Sequence, residues 1–237
     1  MPFRFKQFSI DDSRCGMKVG TDGVLLGAWT PTNNLPPVCR ILDIGTGSGL
    51  VAVMLAQRVP QAQIEAIDID ADAASQAQQN FSNSPWSNRL HCTHLSLQNF
   101  AADKEKQFDL IVSNPPFFQN SLKNPDRARS VARHTDSLPY SVLLTLSARL
   151  LCPHGIFSLI VPAQAEQQVI ALAEQHLLHL SHRCRVAGNN RKTHKRTLLA
   201  FSYNKVPALQ EDSFLTLQTD ALLRSAEYDA LTQDFYL

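Results

Sequence analysis

A chain of 237 residues, 44% of them hydrophobic and 18% charged, has ample material for a large α/β core and carries no global sign of disorder. Its net charge of +1 excludes a uniformly basic nucleic-acid binder, so affinity for an anionic partner has to come from a local patch. Five scattered cysteines (Cys15, Cys39, Cys92, Cys152 and Cys184) with no CxxC speak against a disulfide framework or a zinc site; with no signal-peptide core and no membrane-length apolar run, a cytoplasmic protein is expected.

At the front of the chain "FRFKQF" alternates like an edge strand, and "TDGVLLGAW" predicts a short helix laid over the end of the first core strand. "PTNNLPP" is the one convincing linker, so residues 1–35 are expected to form a small extension or lid on a domain spanning 36–237. From there short apolar runs alternate with helical patterns. "CRILDIG", "AQIEAIDI", "RLHCTHL", "FDLIVSN" and "GIFSLIVP" read as strands. "GLVAVMLAQRV", "DADAASQAQQNF", "SVLLTLSARLL" and "AQAEQQVIALAEQH" read as helices, the third of them stopped by Cys-Pro-His-Gly. Such alternation predicts parallel βαβ units with right-handed crossovers and helices on both sheet faces. "HRCRVAG" and "RTLLAFSY" are separated only by "NNRKTHK", too short a gap for a helical crossover, so they are expected to form an antiparallel hairpin at the sheet edge.

"LDIGTGSGL" puts Asp43, Gly45, Gly47 and Gly49 at the turn between the first core strand and the first core helix. Glycines let the backbone approach a ligand there, and open α/β sheets bind ligands beyond the carboxyl ends of their strands. "GSGLVA" also satisfies a loose dinucleotide pattern, with Asp68 downstream to hold a ribose, so nicotinamide binding is open on this motif alone. Asp43 favours a different ligand. A carboxylate at the loop repels a pyrophosphate and attracts the ammonium and sulfonium of S-adenosylmethionine.

After the fourth core strand comes Asn114-Pro115-Pro116-Phe117. Two prolines cannot extend a strand, and they hold their carbonyls in a rigid backbone without donors. A strand in this position ends beside the glycine turn. The Asn114 amide oxygen and the Pro115 carbonyl can each accept one N–H of an exocyclic amine, aim its lone pair at a methyl group, and stabilise the positive charge that develops on nitrogen. Phe117 can stack on a flipped-out base. No general base is required.

Together "DIGTGSG" and "NPPF" resemble class I S-adenosylmethionine-dependent methyltransferases that act on planar sp² amines. "GMKVGTDGVLLGAW" (residues 16–29) is similar to the N-terminal signature of the bacterial methyltransferases that modify adenine N6 of the nucleoside 3′ to the anticodon in tRNA(Val). The resemblance runs over nearly the whole chain. It implies a Rossmann-like α/β fold with a mostly parallel seven-stranded sheet and an antiparallel edge hairpin. It also implies S-adenosyl-L-methionine held by Asp43, Gly45, Gly47, Gly49 and Asp68, with Thr21 and Asp22 closing over it and Asn114 to Phe117 holding the target amine. Where such enzymes often place an aspartate against the cofactor's adenine amine, this chain has Ser96, a weaker acceptor.

Residues 175–210 hold seven Lys or Arg (Arg183, Arg185, Arg191, Lys192, Lys195, Arg196 and Lys205) and no acid, while the tail from Glu211 holds six acids against Arg224. The loop bearing Arg191, Lys192, Lys195 and Arg196 is expected to contact RNA phosphates, as is the cluster Arg127, Arg129 and Arg133 after the proline turn. His176, His179 and His182 precede Cys184 at three-residue spacing, but this straddles a helix end and a strand start, and no metal is expected. The expected partner is the anticodon stem-loop of a tRNA, met by a monomer. Rival readings are a glutamine-amide methyltransferase acting on release factors and a guanine-N2 rRNA methyltransferase. From other classes, a nucleotide-dependent oxidoreductase and a non-catalytic RNA-binding module remain.

Overall fold

The computed structural model describes residues 2–102, 107–116, 138–189, 193–205 and 209–237. Its first core strand is the run of apolar residues that begins after the linker, β3 (Arg40–Ile44), and the sheet grows from it in both directions. β4 (Gln63–Asp68) pairs parallel to β3, and β5 (Leu90–His94) pairs parallel to β4. The chain then crosses back, and β6 (Phe108–Ser113) pairs parallel to the other side of β3. That reversal opens a crevice above the carboxyl ends of β3 and β6, where ligands bind in sheets of this kind. β7 (Leu151–Pro162) lies next to β6. It starts directly after a helix, not at Gly155 as the sequence suggests; a register shift between Phe108 and Leu110 takes up Pro153 and its neighbours as a bulge.

β8 (His179–Ala187) and β9 (Arg196–Ser202) form the expected antiparallel hairpin, but they are not the edge of the sheet. An eighth strand, β10 (Glu211–Thr216), pairs parallel to β8, so the expected seven strands become eight. Its sequence conceals it because only Leu215 is fully buried. Its acids are satisfied by distant partners: Glu211 accepts from the Trp29 indole at 3.2 Å, and Asp212 pairs with Arg183. The opening segment is likewise no edge strand of the main sheet. β1 (Phe3–Arg4) and β2 (Ser9–Ile10) make a two-stranded hairpin of their own.

Period-two alternation sorts the sheet's side chains onto two faces. Leu110, Val112, Leu198 and Ala200 point into the core beneath α1 (Thr21–Trp29), α2 (Leu50–Arg58) and α3 (Ala71–Ser82). Leu42, Ile111, Leu199 and Phe201 point into the core beneath α4 (Leu97–Ala101), α5 (Tyr140–Leu150) and α6 (Glu166–Glu174). α7 (Ala226–Thr232) closes the chain, with its cap Ser225 accepting from the Tyr228 amide at 3.0 Å. Residues 23–29 of α1 are all buried in the first core. Gly27 is what lets α1 lie close on α2: a Cβ there would stand 2.7 Å from the Met54 sulfur. No helix among the described residues is long and apolar enough to cross a membrane.

Candidate active site

β3 ends in a five-residue turn, Gly45 to Gly49, whose three glycines all have positive φ. Gly49, at φ 83°, caps α2, and a Cβ on it would lie 2.5 Å from Cε1 of the buried Phe81. We expect Gly49→Ala to cost about 2–5 kcal/mol, the sum of a left-handed backbone penalty and overpacking. The urea midpoint, at unchanged m-value, measures it.

Four of the turn's five amides are already used. Gly45 and Thr46 donate to the Ile67 carbonyl at 2.9 and 3.1 Å, Gly49 donates to the Thr46 carbonyl at 2.9 Å, and Gly47 donates to Asp68 Oδ2 at 2.8 Å. A phosphate-cradling loop keeps such donors free. This turn is folded onto its own acceptors, which weighs against the dinucleotide alternative that its sequence leaves open.

The turn borders a cavity of about 810 Å³ over the ends of β3, β4 and β6. Thr21, Asp22, Asp43, Gly45, Gly47, Asp68, Ser96, Asn114, Pro115 and Pro116 all line it, so most of the expected site residues, from five parts of the chain, meet in one place. Among the described residues its lining has four carboxylates (Asp22, Asp43, Asp68 and Asp70) and one ammonium, Lys18. That balance suits a cationic ligand with hydroxyls and disfavours a polyanion.

Asp43 is only 1% exposed. Thr46 Oγ1 donates to its Oδ2 at 2.6 Å, and the Ala52 amide at the start of α2 donates to its carboxylate as well. Burial nevertheless pushes its pKa up to about 7 against the lowering effect of these donors, with the Asp68 charge adding to the rise. Asp43 thus fastens the turn from beneath. Asp68, ending β4, ties Gly47 with Oδ2 and accepts from the Asp70 amide with Oδ1 at 2.9 Å. Ser96 caps α4 by accepting from the Asn99 amide at 3.2 Å, which leaves its hydroxyl proton to offer to the cavity.

Asn114 follows β6, held beside the turn because Ser113 pairs with Ile44 and donates to its carbonyl at 2.9 Å. Its Oδ1 is buried and has no hydrogen-bond partner among the described residues. Pro115 is buried behind it and Pro116 is exposed. Neither proline has an amide with which to satisfy that oxygen.

Other expected residues fare differently. Phe117, Arg127, Arg129, Arg133, Arg191 and Lys192 lie outside the described residues. Lys195 is exposed, away from the cavity lining. Arg196 reaches back to the N-terminal segment, its Nε donating to Asp22 Oδ2 at 2.8 Å. Arg183 and Arg185 both pair with the buried Glu166 and with Asp212, so much of the basic segment is neutralised within the fold. The three histidines go to three partners: His176 to Thr145, His179 to Glu174 and His182 to Ser181. Among the described residues no three His, Cys, Asp or Glu are grouped to hold a metal.

Sequence reasoning missed the wall formed by Cys15, Met17 and Val19, and Ile69, which is 48% exposed at the cavity immediately after Asp68. An apolar residue left exposed at a ligand cleft is the signal that could have marked Ile69. Cys15 offers no nucleophile, since burial lifts its thiol to about 11 and it stays protonated near neutrality.

A family model described as the methyltransferase small domain matches residues 25–138. A tRNA1(Val) (adenine(37)-N6)-methyltransferase of Flavobacterium psychrophilum is 46% identical over 235 residues, covering 99% of each chain. Another protein of that name, from Phocaeicola vulgatus, is 46% identical over 235 residues, covering 99% of this chain and 97% of its own. Among solved structures, a protein of Agrobacterium tumefaciens described as a predicted O-methyltransferase matches with a TM-score of 0.71 at 16% identity, over 90% of this chain and 96% of that one; the likeness bears on the fold alone. With whole-chain identity at this level to relatives from two genera, the chain belongs to the family of the tRNA1(Val) (adenine(37)-N6)-methyltransferases.

Proposed function

We propose that the protein transfers the methyl group of S-adenosyl-L-methionine to the exocyclic N6 amine of adenosine 37 in tRNA(Val), the reaction for which its relatives are named. The observation that carries this reading is the buried, unpaired Oδ1 of Asn114 in the wall of an acidic cavity. Burying an acceptor without a donor costs about 1–3 kcal/mol, and among the unpartnered buried side-chain atoms of the described residues this oxygen is the one in the cavity lining, where a ligand can supply the donor. An aromatic amine supplies two.

S-adenosyl-L-methionine, when bound, contributes an electrophilic methyl on a sulfonium. The chain's own residues do the rest. Asp68 accepts from ribose hydroxyls, and the acidic lining under Asp43 favours the cationic end. Ser96 meets the adenine edge. Asn114 Oδ1 and the Pro115 carbonyl accept the two N–H bonds of the target amine, which draws its lone pair out of conjugation and stabilises the charge growing on nitrogen. The prolines keep these acceptors in place, so little reorganisation accompanies the transfer. The target lies in the anticodon stem-loop, and its phosphates meet the exposed Lys195 together with Arg127, Arg129, Arg133, Arg191 and Lys192.

The direct test is incubation with methyl-labelled S-adenosylmethionine and unmodified total tRNA, followed by nuclease digestion and identification of the labelled nucleoside. Label in N6-methyladenosine, mapping to the position 3′ to the anticodon of tRNA(Val), is the expected result. Label in guanosine, or only in a glutamine-containing protein, overturns the assignment.

A further inference from the structure

Asn80 lies in the last turn of α3, is buried, and is not in the cavity lining. Its side chain nevertheless joins two of the cavity's walls. Nδ2 donates to the Ser48 carbonyl in the glycine turn at 2.8 Å and to the Asp11 carbonyl at 2.7 Å, while Oδ1 accepts from the Asp11 amide at 3.0 Å. The last two bonds clamp residue 11 at both backbone groups, as a neighbouring strand would. Next to it, Asp12 Oδ2 accepts from the Val19 amide at 2.7 Å and thereby folds residues 12–19 into a loop. Cys15 to Val19 of that loop line the same cavity as the glycine turn. One helical turn earlier, Gln76 Oε1 accepts from Ser13 Oγ at 3.3 Å and Arg14 Nε at 3.2 Å, which lays the same segment along α3.

We propose that Asn80 is a positioning residue for the cofactor cavity: it holds the loop of residues 12–19 and the glycine turn in one frame and so fixes the spacing between them. The inference rests on the cavity being the S-adenosylmethionine site. Local propensity cannot supply this frame, because the loop has no helix or strand of its own between β2 and α1. A side chain with both donors and an acceptor is needed, and among the uncharged side chains only a carboxamide has them with a reach this short.

The test compares Asn80→Ala with the parent and with Ser225→Ala, which removes the cap of α7 outside the cavity lining and controls for general destabilisation. With S-adenosylhomocysteine as the calorimetric probe, the Asn80→Ala dissociation constant is expected to rise about 10-fold or more. The KM for S-adenosylmethionine should rise in proportion, with kcat changed less than about twofold, because interactions with the target amine are untouched. Ser225→Ala should lower Tm and leave both constants alone. Should Asn80→Ala fail to fold, Asn80→Ser, which keeps a single donor, is read by the same criterion. Parental affinity in a folded Asn80 variant whose Tm has fallen overturns the positioning role. Failure of the parent itself to bind S-adenosylhomocysteine would instead overturn the reading of the cavity.

Discussion

Asn114→Ala is expected to lower kcat for methyl transfer by about 10²- to 10³-fold while leaving the protein as stable as the parent or slightly more stable. The two halves of this result come from one atom. Oδ1 of Asn114 is buried and unpaired, so the unliganded fold carries the desolvation cost of an acceptor that nothing satisfies. Alanine removes that cost. It also removes the group that accepts an N–H while positive charge develops on the amine, an interaction stronger in the transition state than in the ground state, so the loss falls on kcat and much less on KM for the cofactor. A residue needed for folding behaves the other way, losing stability and activity together. Single-turnover rates with unmodified tRNA, paired with urea midpoints, separate these outcomes. An Asn114→Ala protein that transfers methyl groups within about tenfold of the parental rate removes the basis of the amine-holding role. Asn114→Asp adds a further check. It keeps an acceptor and places a charge beside the four carboxylates of the cavity, so it should be active at reduced level and less stable.

The site was legible wherever neighbours in sequence are also neighbours in space. Asp43 and the glycines form one turn, Asp68 ends the next strand, and parallel pairing of β3 with β6 brings Asn114 to the same edge by topology alone. What stayed hidden depends on long-range pairing. The alternation of apolar residues announces a strand only when a core covers it, and β10 buries little more than Leu215, so its charges read as a solvated tail. One of those charges, Asp212, is in fact a partner of the basic segment: with Glu166 of α6 it takes Arg183 and Arg185, while Asp22 of α1 takes Arg196. A count of lysines and arginines along the chain therefore overstates the field available to RNA. The same limit applied to the glycine turn. Its pattern admits two ligands, and the choice rests on where four backbone amides point, which no spacing of glycines encodes. The turn's frame was least visible of all, since Asn80 sits in an ordinary amphipathic helix and acts through a residue 69 positions away.

Asp43→Asn should make the protein more stable, by an amount that grows with pH. In the fold the Asp43 carboxyl titrates at about 7 instead of 3.8, chiefly because it is buried. A raised pKa means that the folded state holds the proton more tightly than the unfolded chain does. Stability is therefore full below about pH 4, falls as pH rises toward 7, and is level above that. A shift of this size corresponds to a penalty on the order of 4 kcal/mol at alkaline pH. Asparagine escapes it. Its oxygen can accept from the Ala52 amide while its NH₂ donates to the Thr46 hydroxyl, which rotates to suit. Urea midpoints of parent and variant should thus nearly coincide at about pH 3.5 and diverge up to about pH 7, with a constant gap beyond. A gap that does not change with pH would show that Asp43 titrates normally. On the proposed function, so costly a carboxylate is kept for the charge of the ligand. The sulfonium of S-adenosylmethionine favours the ionised form, and S-adenosylhomocysteine differs only in lacking the methyl group and, with it, that charge. In the parent, S-adenosylmethionine should accordingly raise Tm more than S-adenosylhomocysteine does, with the difference widening from about pH 6 to 8, whereas in Asp43→Asn the two ligands should protect alike. If both proteins prefer S-adenosylmethionine equally at every pH, Asp43 serves only to fasten the turn, and the preference for a cation must come from Asp22, Asp68 or Asp70.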